Sequence, residues 1–101
     1  MDNYNVVISS KAQSDLSECV SFVLNVSKEA GKSIANSIFD SISSLCTFPE
    51  RNPVFEMPKQ IGIVFKKQVV EKRYIIIYSI ESMDVVVYRI LDARRKFDSL
   101  I

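Results

Sequence analysis

The stretch Arg73-Tyr74-Ile75-Ile76-Ile77-Tyr78-Ser79-Ile80-Glu81-Ser82-Met83-Asp84-Val85-Val86-Val87-Tyr88-Arg89-Ile90-Leu91 decides the fold. β-branched and aromatic residues dominate both of its halves, the composition of strands. Glu81-Ser82-Met83 between them is short enough for a hairpin turn, although the Asn-Gly or Asp-Gly pair is missing. The two strands predicted, Tyr74 to Ile80 and Asp84 to Leu91, are apolar on both faces, so they belong inside a sheet, under cover. Upstream, Ile61 to Lys67 reads as the strand before them. Pro49 to Gln60, interrupted by Pro49, Pro53 and Pro58, reads as loop.

Working back to the N-terminus, Tyr4 to Ser9 is a short β-prone run. Ser10 stands three residues before Gln13, the spacing of a capping box that satisfies free amide donors. Ala12, Leu16, Cys19, Val20 and Val23 then recur at helical spacing, predicting an amphipathic helix that ends near Val26. Ser27 caps a second helix, with Glu29 in the first turn where negative charge suits the dipole. Its apolar stripe is Ile34, Ile38, Ile42 and Leu45, and Phe48-Pro49 ends it. Few residues join the helices, so they pack as an antiparallel hairpin. The predicted order is β-α-α-β-β-β: an α+β fold with the hairpin on one face of a small, mainly antiparallel sheet. At 101 residues the chain is read as a single domain over 1–101.

Composition narrows the chemistry. There is no His, which removes His-based metal sites, Ser-His-Asp and Cys-His nucleophiles, and the commonest general base. Two Gly leave no Gly-rich phosphate loop, and Cys19 and Cys46 form no disulfide framework or metal spacing. Both cysteines read as small buried apolar residues. No cofactor or metal is expected. Met1-Asp2-Asn3-Tyr4-Asn5 is acidic and polar rather than a leader, and the apolar runs are strand-length, so a cytoplasmic chain with no membrane association is expected. Net charge is +1, unevenly distributed: residues 1–50 hold 3 basic and 6 acidic side chains, residues 51–101 hold 10 and 6. The excess lies in Lys59, Lys66, Lys67, Lys72, Arg73 and Arg94-Arg95-Lys96. It reads equally as a face for an acidic or phosphate partner and as a solvated rim. Arg89 reads as a structural ion pair with Asp92 or Glu81, and Tyr74 and Tyr78 as core or its rim.

Several pieces in this order resemble the RelE/ParE superfamily of bacterial type II toxins. They are Ser9-x-x-Ala12-x-x-Asp15-Leu16, Ile38 through Leu45 leading to Phe48-Pro49-Glu50-Arg51, the Arg73 to Tyr78 strand, and Tyr88-Arg89-Ile90-Leu91-Asp92-Ala93-Arg94-Arg95. The resemblance runs from Tyr4 to Arg95 and carries the family's βααβββ fold with it. It implies a toxin held in a hetero-oligomer by a cognate antitoxin, which adds a strand or amphipathic helix along the helical hairpin or the sheet edge. The closing Arg-Ile-Leu-Asp-x-Arg-Arg run is more similar to the ParE-like, plasmid-stabilisation branch, whose members bind DNA gyrase. That branch implies target contact through Arg94, Arg95 and Lys96 and no reaction catalysed by the toxin.

The RelE-like branch implies a different partner, the ribosome with its mRNA, and an endonuclease. Cutting RNA through its own 2′-hydroxyl needs a base, a proton donor to the leaving oxygen and cations for the developing charge. Lys66, Lys67, Arg73 and Arg94 or Arg95 fall near that branch's cationic positions. Ile75 stands where an Arg is often found, however, and no Tyr or His follows Tyr88. Two departures touch the ParE-like pattern: Asn52 replaces the usual Gly, and Lys96 follows Arg-Arg where Asp is common. Gyrase inhibition is the leading expectation, ribosome-dependent mRNA cleavage the alternative, and a family remnant that only binds antitoxin the third.

Overall fold

The computed structural model describes residues 3–56 and 62–94. Within them the order is β1 (Asn5–Ile8), α1 (Ser10–Leu24), α2 (Lys28–Ser44), a 3₁₀ turn (Pro49–Arg51), β2 (Val54–Phe55), β3 (Phe65–Val70), β4 (Tyr74–Glu81) and β5 (Asp84–Asp92). The strands form one sheet in the order β1-β5-β4-β3-β2, with β1 parallel to β5 and every other pair antiparallel. Two helices on a five-stranded mixed sheet make the α+β architecture expected, and β4 and β5 lie inside the sheet as their two apolar faces require.

Alternation in β4 divides the sheet's two faces. Tyr74, Ile76 and Tyr78 enter the main core with Ala12, Leu16 and Cys19 of α1, Ile38 and Ile42 of α2, and Leu45. Ile77 joins a smaller cluster with Phe65 and Leu91, flanked by Phe55, Ile75 and Tyr88. Each helix places one stripe on the main core, so helix formation and burial come from the same 3.6-residue spacing. Ser9 and Ser27 cap the helices, their hydroxyls accepting from the amides of Ala12 (3.0 Å) and Ala30 (3.2 Å). Gly31 lets the helices approach, because a Cβ there would run into the Leu24 side chain.

Four sequence expectations are corrected. The α1 cap is Ser9, not Ser10. Ser9 also donates its amide to the Val87 carbonyl (3.0 Å) and its hydroxyl to the Tyr88 carbonyl (2.9 Å), and so ties the helix start to β5. The strand read at Ile61 to Lys67 lies instead at Phe65–Val70, shifted by the Val70↔Tyr74 pairing across the three-residue connection Glu71-Lys72-Arg73. Its first two residues, Glu71 and Lys72, are left-handed (φ 56° and 55°), a geometry usually signalled by Asn or Gly. The Pro-rich stretch read as loop holds the 3₁₀ turn and β2, which adds a fifth strand. Cys46 is half-buried rather than buried, its sulfur 3.5 Å from the Thr47 hydroxyl.

Candidate functional site

The end of the sheet where β4 begins and β5 finishes brings Arg73 and Arg94 together. Asp92, with a side chain only 7% exposed, is its hub. Arg73 donates to Asp92 Oδ2 from Nε (3.4 Å) and Nη2 (3.2 Å), and its guanidinium lies 4.9 Å from the centroid of the Tyr74 ring. Arg94 donates its backbone amide to Asp92 Oδ1 (3.0 Å), and its Nε lies 3.5 Å from the same oxygen. Two guanidinium groups share one carboxylate, so the cluster keeps a net positive charge. Arg94 stays largely in solvent, its side chain 61% exposed. Beside the cluster a recess of about 210 Å³ is lined by Phe22, Val23, Val26, Arg73 and Arg94. An apolar floor with a guanidinium rim suits a partner segment that mixes apolar and acidic side chains.

The other candidates stand apart from this end. Lys66 pairs with Tyr78 and Lys67 with Ile77 on neighbouring positions of β3, so their side chains leave opposite faces of the sheet. Lys66 Nζ donates to the Asn52 carbonyl (2.8 Å), which makes it a brace for the Pro-rich loop. Lys66 also stands four residues before Val70, roughly 13 Å along the strand from the turn that carries Arg73. Arg73 and Arg94 are thus brought together; Lys66 and Lys67 join neither them nor each other. Arg95 and Lys96 lie outside the described residues, as do Lys59 and the Phe97, Leu100 and Ile101 edge of the tail.

Arg89 is a structural ion pair as read, but its partner is Asp15, not Asp92 or Glu81. Its Nε and Nη2 reach the carboxylate at 2.7 and 3.0 Å, and the Ile90 amide donates to Asp15 Oδ2 at 3.0 Å. The hydrogen-bonded carboxylate holds the guanidinium pKa above its ordinary value. Asp15 here serves β5 beyond the point where β1 stops pairing at Val87. The same stretch holds a bulge: Tyr78 pairs with Val87 and Ile77 with Arg89, which leaves Tyr88 as the extra residue.

A polar network that was not foreseen braces the 3₁₀ turn against the sheet. The buried Tyr78 hydroxyl donates to the Pro49 carbonyl (2.6 Å) and accepts from Asn52 Nδ2 (3.0 Å). Burial pushes the Tyr78 phenol pKa up. Arg51 collects the carbonyls of Thr47 (2.8 Å), Phe48 (3.2 Å) and Ser44 (3.3 Å) and the Ser44 hydroxyl (2.8 Å). Those carbonyls belong to the last residue of α2 and to the segment just after it, where orphan acceptors need partners. The Tyr4 hydroxyl donates to Glu50 (2.8 Å) and holds that carboxyl below its usual range. An Arg within seven residues of a helix end, before a proline turn, was the only signal for this clamp.

Among the described residues no group of three Cys, Asp or Glu side chains is arranged to hold a metal ion. No helix among them is long and apolar enough to cross a membrane. No curated protein matches the chain. Several solved structures share its fold, two of them from toxin–antitoxin systems. A chain of the chromosomal ParDE toxin–antitoxin system from P. aeruginosa superposes with a TM-score of 0.71 at 12% identity, covering 88% of this chain and 95% of that one. A chain of the RelBE2 toxin–antitoxin complex from Mycobacterium tuberculosis superposes with a TM-score of 0.59 at 17% identity, covering 91% and 93%. The family model for the ParE toxin of the parDE type II toxin–antitoxin system matches residues 6–97, and with nearly the whole chain inside that match, the protein belongs to the ParE toxin family.

Proposed function

We propose that this protein arrests growth by binding DNA gyrase through its cationic end, without catalysing a reaction, and that a cognate antitoxin neutralises it. The observation that carries the reading is the Arg73–Asp92–Arg94 cluster. One nearly buried carboxylate holds two guanidinium groups at the rim of an apolar recess. Such a cluster grips a macromolecule by charge and shape; Arg94, Arg95 and Lys96 are the proposed contact residues. The lysines an RNA-cleaving site would recruit, Lys66 and Lys67, leave opposite faces of the sheet, which favours binding over catalysis. An antitoxin segment with apolar and acidic side chains complements the recess and cancels the charge that the target reads.

A supercoiling assay with purified gyrase tests the proposal. Wild-type protein should inhibit, and Arg94→Glu should weaken inhibition at least tenfold while leaving the melting temperature within a few degrees, because Arg94 is exposed. Unchanged gyrase activity at saturating toxin refutes it. Transcripts cut in a translating extract would assign the chain to the endonuclease alternative.

A further inference from the structure

The guanidinium pair at the end of β5 keeps hydrogen-bonding capacity that its own chain leaves open. Arg73 commits Nε and Nη2 to Asp92, and Arg94 commits its backbone amide and Nε to the same carboxylate. Among the described residues no hydrogen bond takes up Arg73 Nη1 or either terminal nitrogen of Arg94. These are not two independent surface side chains. The Ala93 amide donates to the Arg73 carbonyl (2.6 Å), which ties their backbones together, and the nearly buried Asp92 holds both heads.

The floor beside them is fixed as well. Phe22, Val23 and Val26 come from the last turn of α1 and the residues just after it. The Val26 and Ser27 amides both donate to the Val23 carbonyl, at 3.0 and 2.8 Å, and fold the chain tightly over that turn. Val26 is 82% exposed and Phe22 46%, so apolar surface faces solvent next to the guanidinium rim. Exposed apolar surface rimmed by polar groups is the mark of an interaction site.

Size decides what fits. The recess of about 210 Å³ is smaller than the roughly 300–1,000 Å³ of pockets that hold drug-sized ligands. It has room for a single side chain, so the same residue must meet both floor and rim. Asp or Glu brings a carboxylate on a short stem and leaves Phe22, Val23 and Val26 uncovered. Leu or Val inside a chain covers the floor and leaves the guanidinium nitrogens bare. Phosphate satisfies the rim and does nothing for the floor. A chain that ends in an apolar residue brings both groups, because side chain and carboxylate stand on the same Cα. Nor does a terminal residue need an exit for chain beyond it.

We infer that this recess binds the C-terminal residue of a partner polypeptide. Its apolar side chain lies on Phe22, Val23 and Val26, and its carboxylate takes the open nitrogens of Arg73 and Arg94. Guanidinium groups suit this task, since their parallel N–H donors match the two oxygens of a carboxylate. Capture of a chain terminus is a recurring mode of peptide recognition. The inference rests on the reading of this end as a protein-contact surface and adds what that surface recognises; it does not depend on gyrase being the target.

The test is fluorescence anisotropy with the full chain and a labelled peptide, Gly-Ser-Gly-Ser-Ala-Leu, bearing a free carboxylate. Its comparators are the same peptide amidated, a version with Glu-Leu placed internally, and a labelled oligothymidine. The free acid should bind saturably, and amidation should weaken it roughly tenfold or more, as loss of charge-assisted hydrogen bonds requires. The internal Glu-Leu peptide should bind no better than the amide. Arg94→Gln and Val26→Ser should weaken the free acid by roughly tenfold and threefold, with melting temperatures within a few degrees of wild type because both side chains are exposed. Amidated or internal peptide that binds wild type as tightly as the free acid overturns the inference, and that comparison needs no variant. No peptide binding at millimolar concentration overturns it, as does peptide binding that neither substitution weakens. Oligothymidine binding sensitive to Arg94→Gln, with no peptide binding, overturns it in favour of a phosphate site. Wild-type protein that binds the free acid but leaves gyrase supercoiling untouched refutes only the gyrase reading; inhibition of gyrase without peptide binding refutes only this inference.

Discussion

Asp15 offers the sharpest test of how the fold is held, because one carboxylate satisfies three donors 74 and 75 residues away in sequence. Replacing Asp15 with Ala strands the Arg89 guanidinium, whose side chain is 15% exposed, and orphans the Ile90 amide. Breaking a buried ion pair by removing one partner costs about 3–5 kcal/mol, and an unsatisfied buried amide adds about 1–3 kcal/mol. The residual exposure of both partners lets water recover part of this, so roughly 3 kcal/mol is expected. In a domain of this size that corresponds to a melting temperature lower by roughly 15 °C. Removing the charge should then help: Arg89→Met in the Asp15→Ala background should recover about half the loss, because an apolar stem replaces a stranded cation. The assay is urea unfolding of the four proteins of the cycle, with thermal melts alongside. A loss below about 1 kcal/mol for Asp15→Ala, or additive single and double variants, would show that the pair is solvated and that β5 is held by packing alone.

Two further outcomes follow from single contacts. Tyr78→Phe removes the hydroxyl bonded to Pro49 and Asn52 and should cost about 1–2 kcal/mol at neutral pH. Because the folded phenol pKa is raised, its contribution is complete below the unfolded value near 10 and lost as pH climbs through the higher folded value. The variant's stability should therefore fall less steeply on the alkaline side, and equal slopes in pH-dependent melts would contradict this. Gly31→Ala gains helix propensity but drives a methyl group into Leu24, so a net loss of about 1–3 kcal/mol is expected. Combining it with Leu24→Ala should restore stability in denaturant titrations; failure to do so would place the conflict elsewhere.

Local periodicity determined much of this protein. The stripe of Ala12, Leu16, Cys19 and Val23 and the stripe of Ile38, Ile42 and Leu45 state in sequence which helix face is buried, and the unbroken apolar run from Tyr74 to Tyr78 states that its strand is covered on both faces. The helices, the two central strands and the α+β class follow from them. Arg94 of the C-terminal basic run lies at the cationic end, and that clustering of charge is visible without coordinates. Register and pairing were not legible. The β3–β4 turn uses Glu71 and Lys72 in a geometry that carries no Asn or Gly signal, so the strand before it was read four residues early. Asp15 and Arg89, Asp92 and Arg73, and Arg51 with the carbonyls after α2 meet only once the chain has folded back on itself. Periodicity records a residue's relation to water, which is local. The partner of a charge or a hydroxyl is fixed by where distant segments cross, and that only the tertiary structure decides.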